Sequence, residues 1–182
     1  MIELAIQVAA KAHQNQKRKG TDIPYITHPY MVGMILQKEG CSDELVAAGI
    51  LHDTVEDTYV TLDYIRDTFG QYVAEIVGGC SEPDKSLSWE ERKTYKLHAL
   101  KTASLDIRIV TCADKLHNIR TTIKEYNRVG EKVWDRFNRG REKQSWYYNE
   151  LIKVLCDRED NPPEMRIFSE LKNEIIHLFF EK

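Results

Sequence analysis

Apolar residues recur at helical spacing along almost the whole chain, and no strand-hairpin signal interrupts them. Ile2, Ala5, Ile6, Ala9 and Ala10 share one face of a first helix. A polar, basic loop follows from Gln14 to Thr27. Thr27 is placed to cap a second helix, with Pro29 tolerated in its first turn and Val32, Ile35 and Leu36 facing inward. Ser42 caps a third helix that carries Leu45, Val46, Ala48, Ile50 and Leu51 down to His52. Thr61 opens a helix closing at Phe69-Gly70, and Val73 to Val77 form a short one expected to stop at Gly78-Gly79. Ser88-Trp89-Glu90-Glu91 has the capping-box pattern. Ile107 to about Tyr126 reads as a helix. A basic, aromatic stretch from Trp134 to Tyr148 grades into another through Leu151, Val154 and Leu155. Pro162-Pro163 breaks the chain before a last helix bearing Ile167, Leu171, Ile175, Leu178 and Phe179. The expected fold class is all-α.

Bulk properties narrow the function classes. At 182 residues, one domain with a sizeable core is expected over 1–182. A net charge of -3 gives no global attraction to nucleic acid or to an anionic membrane. No apolar run approaches the ~20 residues that span a bilayer. Glu3 stands where a secretory signal would be basic, so a cytoplasmic protein is expected. Cys41, Cys80, Cys112 and Cys156 are widely spaced and form no CxxC pair, which fits reduced thiols better than a disulfide framework.

The chemistry concentrates in Gly49-Ile50-Leu51-His52-Asp53-Thr54-Val55-Glu56-Asp57, where an imidazole and three carboxylates follow an apolar run. Adjacent His52 and Asp53 can reach one metal ion where a helix ends. If the helical path continues, Glu56 lies one turn beyond both. Tyr25-Ile26-Thr27-His28-Pro29 and Cys112-Ala113-Asp114-Lys115-Leu116-His117-Asn118 supply the rest of a cage. His28, His52, Asp53 and Asp114 would offer two nitrogens and two oxygens to a metal. That mixed set suits Mn²⁺, Fe²⁺ or Zn²⁺, and without a thiolate Zn²⁺ is no more than one candidate. Such an ion would activate a water and polarise a phosphoryl oxygen. Glu56 and Asp57 are then placed to orient the water or manage protons, and Asn118 to bond substrate or steady a ligand. Singly, each residue has an ordinary reading: His28 as a helix-start residue, Asp53 and Asp57 as solvated first-turn acids, Asp114 paired with Lys115 or Arg120. Together, beside apolar runs, they point to metal, because buried charge is costly unless paired or coordinated. His13 is a helix-end or supporting residue, His98 and His177 are surface or packing residues, and His117 is set aside.

Three motifs in order carry a resemblance: Ala12-His13-x-x-Gln16-x-Arg18-Lys19-x-Gly20 running into Pro24-Tyr25-Ile26-Thr27-His28-Pro29, Leu51-His52-Asp53-x-Val55-Glu56-Asp57-Thr58, and Ala113-Asp114-Lys115-Leu116-His117-Asn118-x-Arg120. Over roughly residues 1–125 the chain resembles the HD-domain hydrolases of the RelA/SpoT type, and in outline the small stand-alone alarmone hydrolases. The resemblance implies a helical HD-domain bundle; the apolar pattern adds further helices at about 141–182, and no synthetase domain is expected. It implies Mn²⁺ on His28, His52, Asp53 and Asp114, catalysis by Glu56 and Asp57, and Asn118 in the active site. The implied reaction is hydrolysis of the 3′-diphosphate of guanosine tetra- or pentaphosphate to pyrophosphate. One segment departs from that pattern. Where alarmone hydrolases carry a Gly-Val-Thr-Lys-like run, this chain reads Gly78-Gly79-Cys80-Ser81-Glu82-Pro83-Asp84-Lys85-Ser86-Leu87, then Trp89-Glu90-Glu91-Arg92-Lys93.

A polyphosphate needs local cations. The resemblance offers Arg18 and Lys19 as substrate contacts, against a reading as a solvated charge run. In the Arg136–Tyr148 stretch, Arg141 or Tyr148 would touch the ligand, against a reading as inward aromatics and solvated cations. The loop from Asp84 to Ser88 and Trp89 would form a lid or specificity element, or Trp89 a core anchor. The expected partner is a small nucleotide, with neither membrane nor nucleic acid. A homo-oligomer through the last helix remains compatible with the pattern. Alternative readings keep the site and change the substrate to another nucleotide or nucleotide cofactor, or make the chain a catalytically silent nucleotide sensor.

Overall fold

The computed structural model describes residues 1–82 and 86–181. Among them the elements are helical: α1 (Ile2–Ala12), α2 (Thr27–Lys38), α3 (Asp43–Leu51), α4 (Thr54–Asp57), α5 (Leu62–Phe69), α6 (Gln71–Cys80), α7 (Trp89–Thr102), α8 (Leu105–Val129), α9 (Arg141–Leu151) and α10 (Ile167–Phe179). A 3₁₀ helix, Gly130–Arg136, joins α8 to the segment before α9, and a π-helical turn, Ile152–Cys156, extends α9. The only extended pairing among the described residues is an isolated bridge between Lys17 and Pro24. The bundle is all-α, as its sequence pattern indicates.

The bundle is built around α3, whose residues Leu45 to Leu51 are all buried. A helix apolar on every side must be surrounded, and α1, α2, α6 and α8 pack against it. Ser42 accepts a hydrogen bond from the Leu45 N–H at 3.3 Å and starts this helix. The crossing of α2 over α3 is unusually close. A Cβ added at Gly49 would lie 2.2 Å from Leu36 Cδ1, and one at Gly33 would lie 2.5 Å from Ile50 Cγ1. These two glycines draw the backbones together, and that approach sets His28, in the first turn of α2, beside His52, which follows α3.

Several local expectations need correction. Thr27 does not cap α2: it is the first helical residue, and its hydroxyl donates to the Pro24 carbonyl at 2.9 Å. Gly78-Gly79 does not end α6, which runs on to Cys80. Gly79 is small for packing rather than for termination, since a Cβ there would meet Ile107 Cδ1 at 2.4 Å. The carbonyls of Gly79 and Cys80 are taken by the buried Lys96 ammonium, at 2.8 Å and 2.6 Å. The helix expected over 107–126 is the 25-residue α8, capped by Ser104. Its buried Arg108 donates to Asp160 at 2.9 Å and Asn161 at 2.7 Å, tying α8 to the segment before α10. Thr61 and the Ser88–Glu91 capping box behave as the sequence indicates.

Candidate metal centre

The chain leaves α3 at Leu51, and His52 and Asp53 occupy the bend before α4. The Asp57 N–H then bonds the Asp53 carbonyl at 3.0 Å, so Glu56 and Asp57 ride the next turn. The buried Thr54 hydroxyl donates to the Leu51 carbonyl at 2.7 Å and closes the end of α3. From α2, His28 enters the same space, and from the buried face of α8, Asp114.

Ligand atoms of His28, His52 and Asp114 all lie within 4.8 Å of one another. His28 Nε2 is 3.2 Å from Asp114 Oδ1 and 3.6 Å from Asp53 Oδ2, and His52 Nε2 is 3.1 Å from Asp53 Oδ2. Both imidazoles are buried. The donor chemistry fits a metal at one decisive atom. His52 Nδ1 bonds the Gly49 carbonyl at 2.7 Å, while its buried Nε2, beside Asp53 Oδ2, makes no well-aligned hydrogen bond among the described residues. A backbone acceptor at Nδ1 leaves Nε2 as the nitrogen that presents a lone pair, the arrangement by which proteins orient metal-binding imidazoles.

A supporting layer surrounds these four. Tyr25 donates its hydroxyl to Asp53 Oδ2 at 2.6 Å; burial and the Asp53 charge push the phenol pKa up, so it stays a donor. His117 Nδ1 lies 2.6 Å from His28 Nδ1. Burial and the neighbouring His28 lower the His117 pKa to about 4, so it is neutral near pH 7 and able to accept. Asn118 donates to Asp114 Oδ1 at 2.5 Å and accepts from Arg18 at 2.9 Å. Lys115 Nζ sits 2.8 Å from Asp114 Oδ2, and this pair lines the site rather than a surface. Burial opposes ionisation of Asp114, but Lys115 and the imidazoles outweigh it and hold the carboxyl well below its usual range. Burial also disfavours the His52 cation, yet Asp53 and Asp114 raise its pKa to about 9. Burial alone dominates at His28 and lowers it. Burial raises Glu56, which accepts the Glu82 N–H at 2.9 Å.

A cavity of about 240 Å³ opens over this cluster. Its walls combine the acids Asp53, Glu56, Asp57 and Asp114 with the cations Arg18, Arg92, Lys93, Lys96 and Lys115. A larger cavity of about 500 Å³ shares Arg18, Tyr25, Lys93, Lys115 and Asn118 with it and is lined by Lys19, Trp89, Phe137, Tyr147 and Tyr148. The chain therefore brings together His28, His52, Asp53, Asp114, Glu56, Asp57, Arg18 and Asn118, with Lys19 and Tyr148 in the adjoining cavity. Arg141 lines neither cavity and faces Glu131 at 3.7 Å, while Arg139 pairs with Glu90. Trp89 packs on Trp146 and Tyr147 and lines the larger cavity; Asp84 and Lys85, expected in a lid, lie outside the described residues. Sequence reasoning set His117 aside and passed over Tyr25 and Lys96. Tyr25 and His117 sit inside the motifs quoted above, and His117 is one turn from Asp114 on α8. Lys96 carries no local signal.

Comparisons with known proteins agree with this geometry. A family model described as an HD domain matches residues 5–143. The chain is 39% identical over 132 residues to the guanosine-3′,5′-bis(diphosphate) 3′-pyrophosphohydrolase MESH1 of Danio rerio, covering 71% of each. It is 41% identical over 123 residues to a GTP pyrophosphokinase of Streptomyces coelicolor, spanning 14% of that protein's length. Among solved structures, lmo0812 of Listeria monocytogenes superposes with a TM-score of 0.78 at 37% identity, covering 84% of this chain and 98% of that one. A metazoan ortholog of SpoT, described as hydrolysing ppGpp, also gives 0.78, at 26% identity, covering 100% of this chain and 96% of that one. With the match running over most of the chain and through every candidate metal ligand, the chain belongs to the HD domain family.

Proposed function

We propose that the chain is a divalent-metal phosphohydrolase that removes the 3′-diphosphate of guanosine tetra- or pentaphosphate as pyrophosphate, with Mn²⁺ as the working ion. One observation carries the metal half of this reading: a buried imidazole whose Nδ1 is held by a backbone carbonyl and whose Nε2 makes no well-aligned hydrogen bond among the described residues, converging with a second imidazole and a carboxylate. The substrate half draws on the MESH1 relatives and the SpoT ortholog, and on the cavities themselves.

His28, His52, Asp53 and Asp114 would hold the ion. When bound, it supplies Lewis-acid polarisation and a lowered water pKa. Arg18, Arg92, Lys93, Lys96 and Lys115 offset phosphate charge, with the Arg forks suited to paired oxygens. The nucleoside has room in the larger cavity, against Phe137, Tyr147 and Tyr148. Glu56 is fixed by the Glu82 N–H and its carboxyl is raised by burial, which moves it toward the range where a carboxylate takes a proton from water effectively. Asp57 follows it on the same turn and lines the same cavity. One water is consumed, and the bond between the ribose 3′-oxygen and phosphorus breaks.

The test is product analysis of the Mn²⁺-loaded protein incubated with guanosine tetraphosphate, beside His52→Ala and Glu56→Ala. GDP and pyrophosphate in equal amounts, absent with both variants, is the expected result. Folded, metal-loaded protein that releases neither rejects the alarmone substrate.

A further inference from the structure

Glu82, Arg92 and Lys93 lie in the one segment that departs from the family pattern, and the fold brings them into the wall of the smaller cavity. Arg92 donates to Glu82 Oε2 at 2.8 Å, and Lys93 pairs with Glu82 Oε1. Glu82 thus occupies both cations at once, through both carboxylate oxygens. Two cations share one carboxylate here. The buried Arg92 Nε has no hydrogen-bond partner among the described residues. Lys93 reaches further: its ammonium stands 5.1 Å from the centre of the Tyr147 ring and lines both cavities. The other ammonium groups of this wall are engaged elsewhere, Lys96 by two carbonyls and Lys115 by Asp114.

Arg92, Lys93 and Glu82 stand together in the wall of the cavity that also holds the candidate metal ligands, and the Arg92 Nε is without a partner among the described residues. We propose that Arg92 and Lys93 form the subsite for the pyrophosphoryl group and that Glu82 is its resident competitor, an intramolecular anion that an incoming polyphosphate must displace. This rests on the phosphohydrolase reading above and names the residues that decide how tightly the leaving group is held. Glu82 also donates its main-chain N–H to Glu56 Oε2 at 2.9 Å, so one residue touches both the anion subsite and the proton-handling carboxylate. That backbone contact is independent of the Glu82 side chain. Glu82→Gln therefore removes the competitor and leaves the bond to Glu56 in place.

Inorganic pyrophosphate is the probe, titrated calorimetrically into the full-length, metal-loaded chain. Glu82→Gln should bind it about tenfold more tightly than the parent, the effect of freeing about one charge-assisted hydrogen bond. The double variant Glu82→Gln/Lys93→Gln should lose that gain and keep the net charge of the cluster, which guards against a fold disturbed by two unpaired cations; thermal melting of each variant is recorded alongside. In steady state Glu82→Gln should lower KM. Equal or weaker pyrophosphate binding by folded Glu82→Gln overturns the proposal. Tighter binding together with no turnover of guanosine tetraphosphate by the parent supports the anion subsite and discards the alarmone substrate, so the two readings fail separately.

Discussion

His117 offers the sharpest test of how the metal centre is assembled. Its Nδ1 faces His28 Nδ1 at 2.6 Å, so one proton lies between the two rings. For His28 Nε2 to present a lone pair, that proton must belong to His28, and His117 must accept it. A pKa lowered to about 4 by burial and by His28 keeps His117 neutral and able to do so. His117→Ala removes the acceptor and leaves a buried N–H unsatisfied, which costs about 1–3 kcal/mol. The ring can escape this by moving its proton to Nε2, facing Asp114, and in that tautomer it is no ligand. Metal affinity should therefore fall by about 10- to 100-fold, the range seen when partners of metal-binding imidazoles are removed. His117→Asn places a carbonyl oxygen near the lost Nδ1 and should restore affinity to within about fivefold. The assay is competition for Mn²⁺ or Zn²⁺ against a chromogenic chelator, with circular dichroism to show that each variant folds. Unchanged affinity in His117→Ala, or an asparagine variant as weak as the alanine one, refutes the tautomer argument.

Three further perturbations follow from the same geometry. In the metal-free protein His52 has a pKa of about 9 against 6.5 unperturbed, so its stabilising charge is fully present below pH 6.5 and is lost as pH rises through 9. The melting temperature of chelator-treated protein should fall across that window, metal affinity should rise across it as the competing proton leaves, and a flat melting profile would contradict the assignment. Tyr25→Phe deletes the 2.6 Å hydrogen bond to Asp53 without opening a cavity, and should weaken metal binding by about tenfold with little change in melting. Gly49→Ala drives a methyl into Leu36 at 2.2 Å; overpacking of this kind costs about 1–3 kcal/mol, and here it also separates His28 from His52. Loss of both stability and metal affinity is expected in denaturant melts and chelator competition, and a silent substitution would show that the close crossing of α2 and α3 does not set the site.

The helical class and the meeting of the four candidate metal ligands are legible before any coordinates, for a shared physical reason. Apolar spacing at a helical period is a local property, and so is an imidazole or carboxylate set directly against an apolar run, as at Leu51-His52-Asp53 and Ala113-Asp114. Burial of such groups demands compensation, and residues within one turn of each other cannot supply it all, so three motifs imply one meeting point. Local signals misjudge glycine and threonine, because those residues act at ends and at contacts alike. Gly79 reads as a helix stop until Ile107 is seen against it, and Thr27 as a cap until its hydroxyl is seen on Pro24. Arg141 reads as a ligand contact from composition alone, and the fold turns it to Glu131.

What the chain determined by itself is thus the inventory: all-α architecture, the ligand types, and the order in which they arrive. The tertiary structure decided which neighbours those ligands keep. That Gly33 and Gly49 let α2 and α3 close until His28 meets His52, that His117 rather than solvent faces His28 Nδ1, and that Glu82 stands on Arg92 and Lys93 beside Glu56 are consequences of packing between elements distant in sequence. Tautomer, carboxyl pKa and charge pairing depend on distances of a few ångströms across those contacts, where electrostatic energy varies steeply and no local pattern records it.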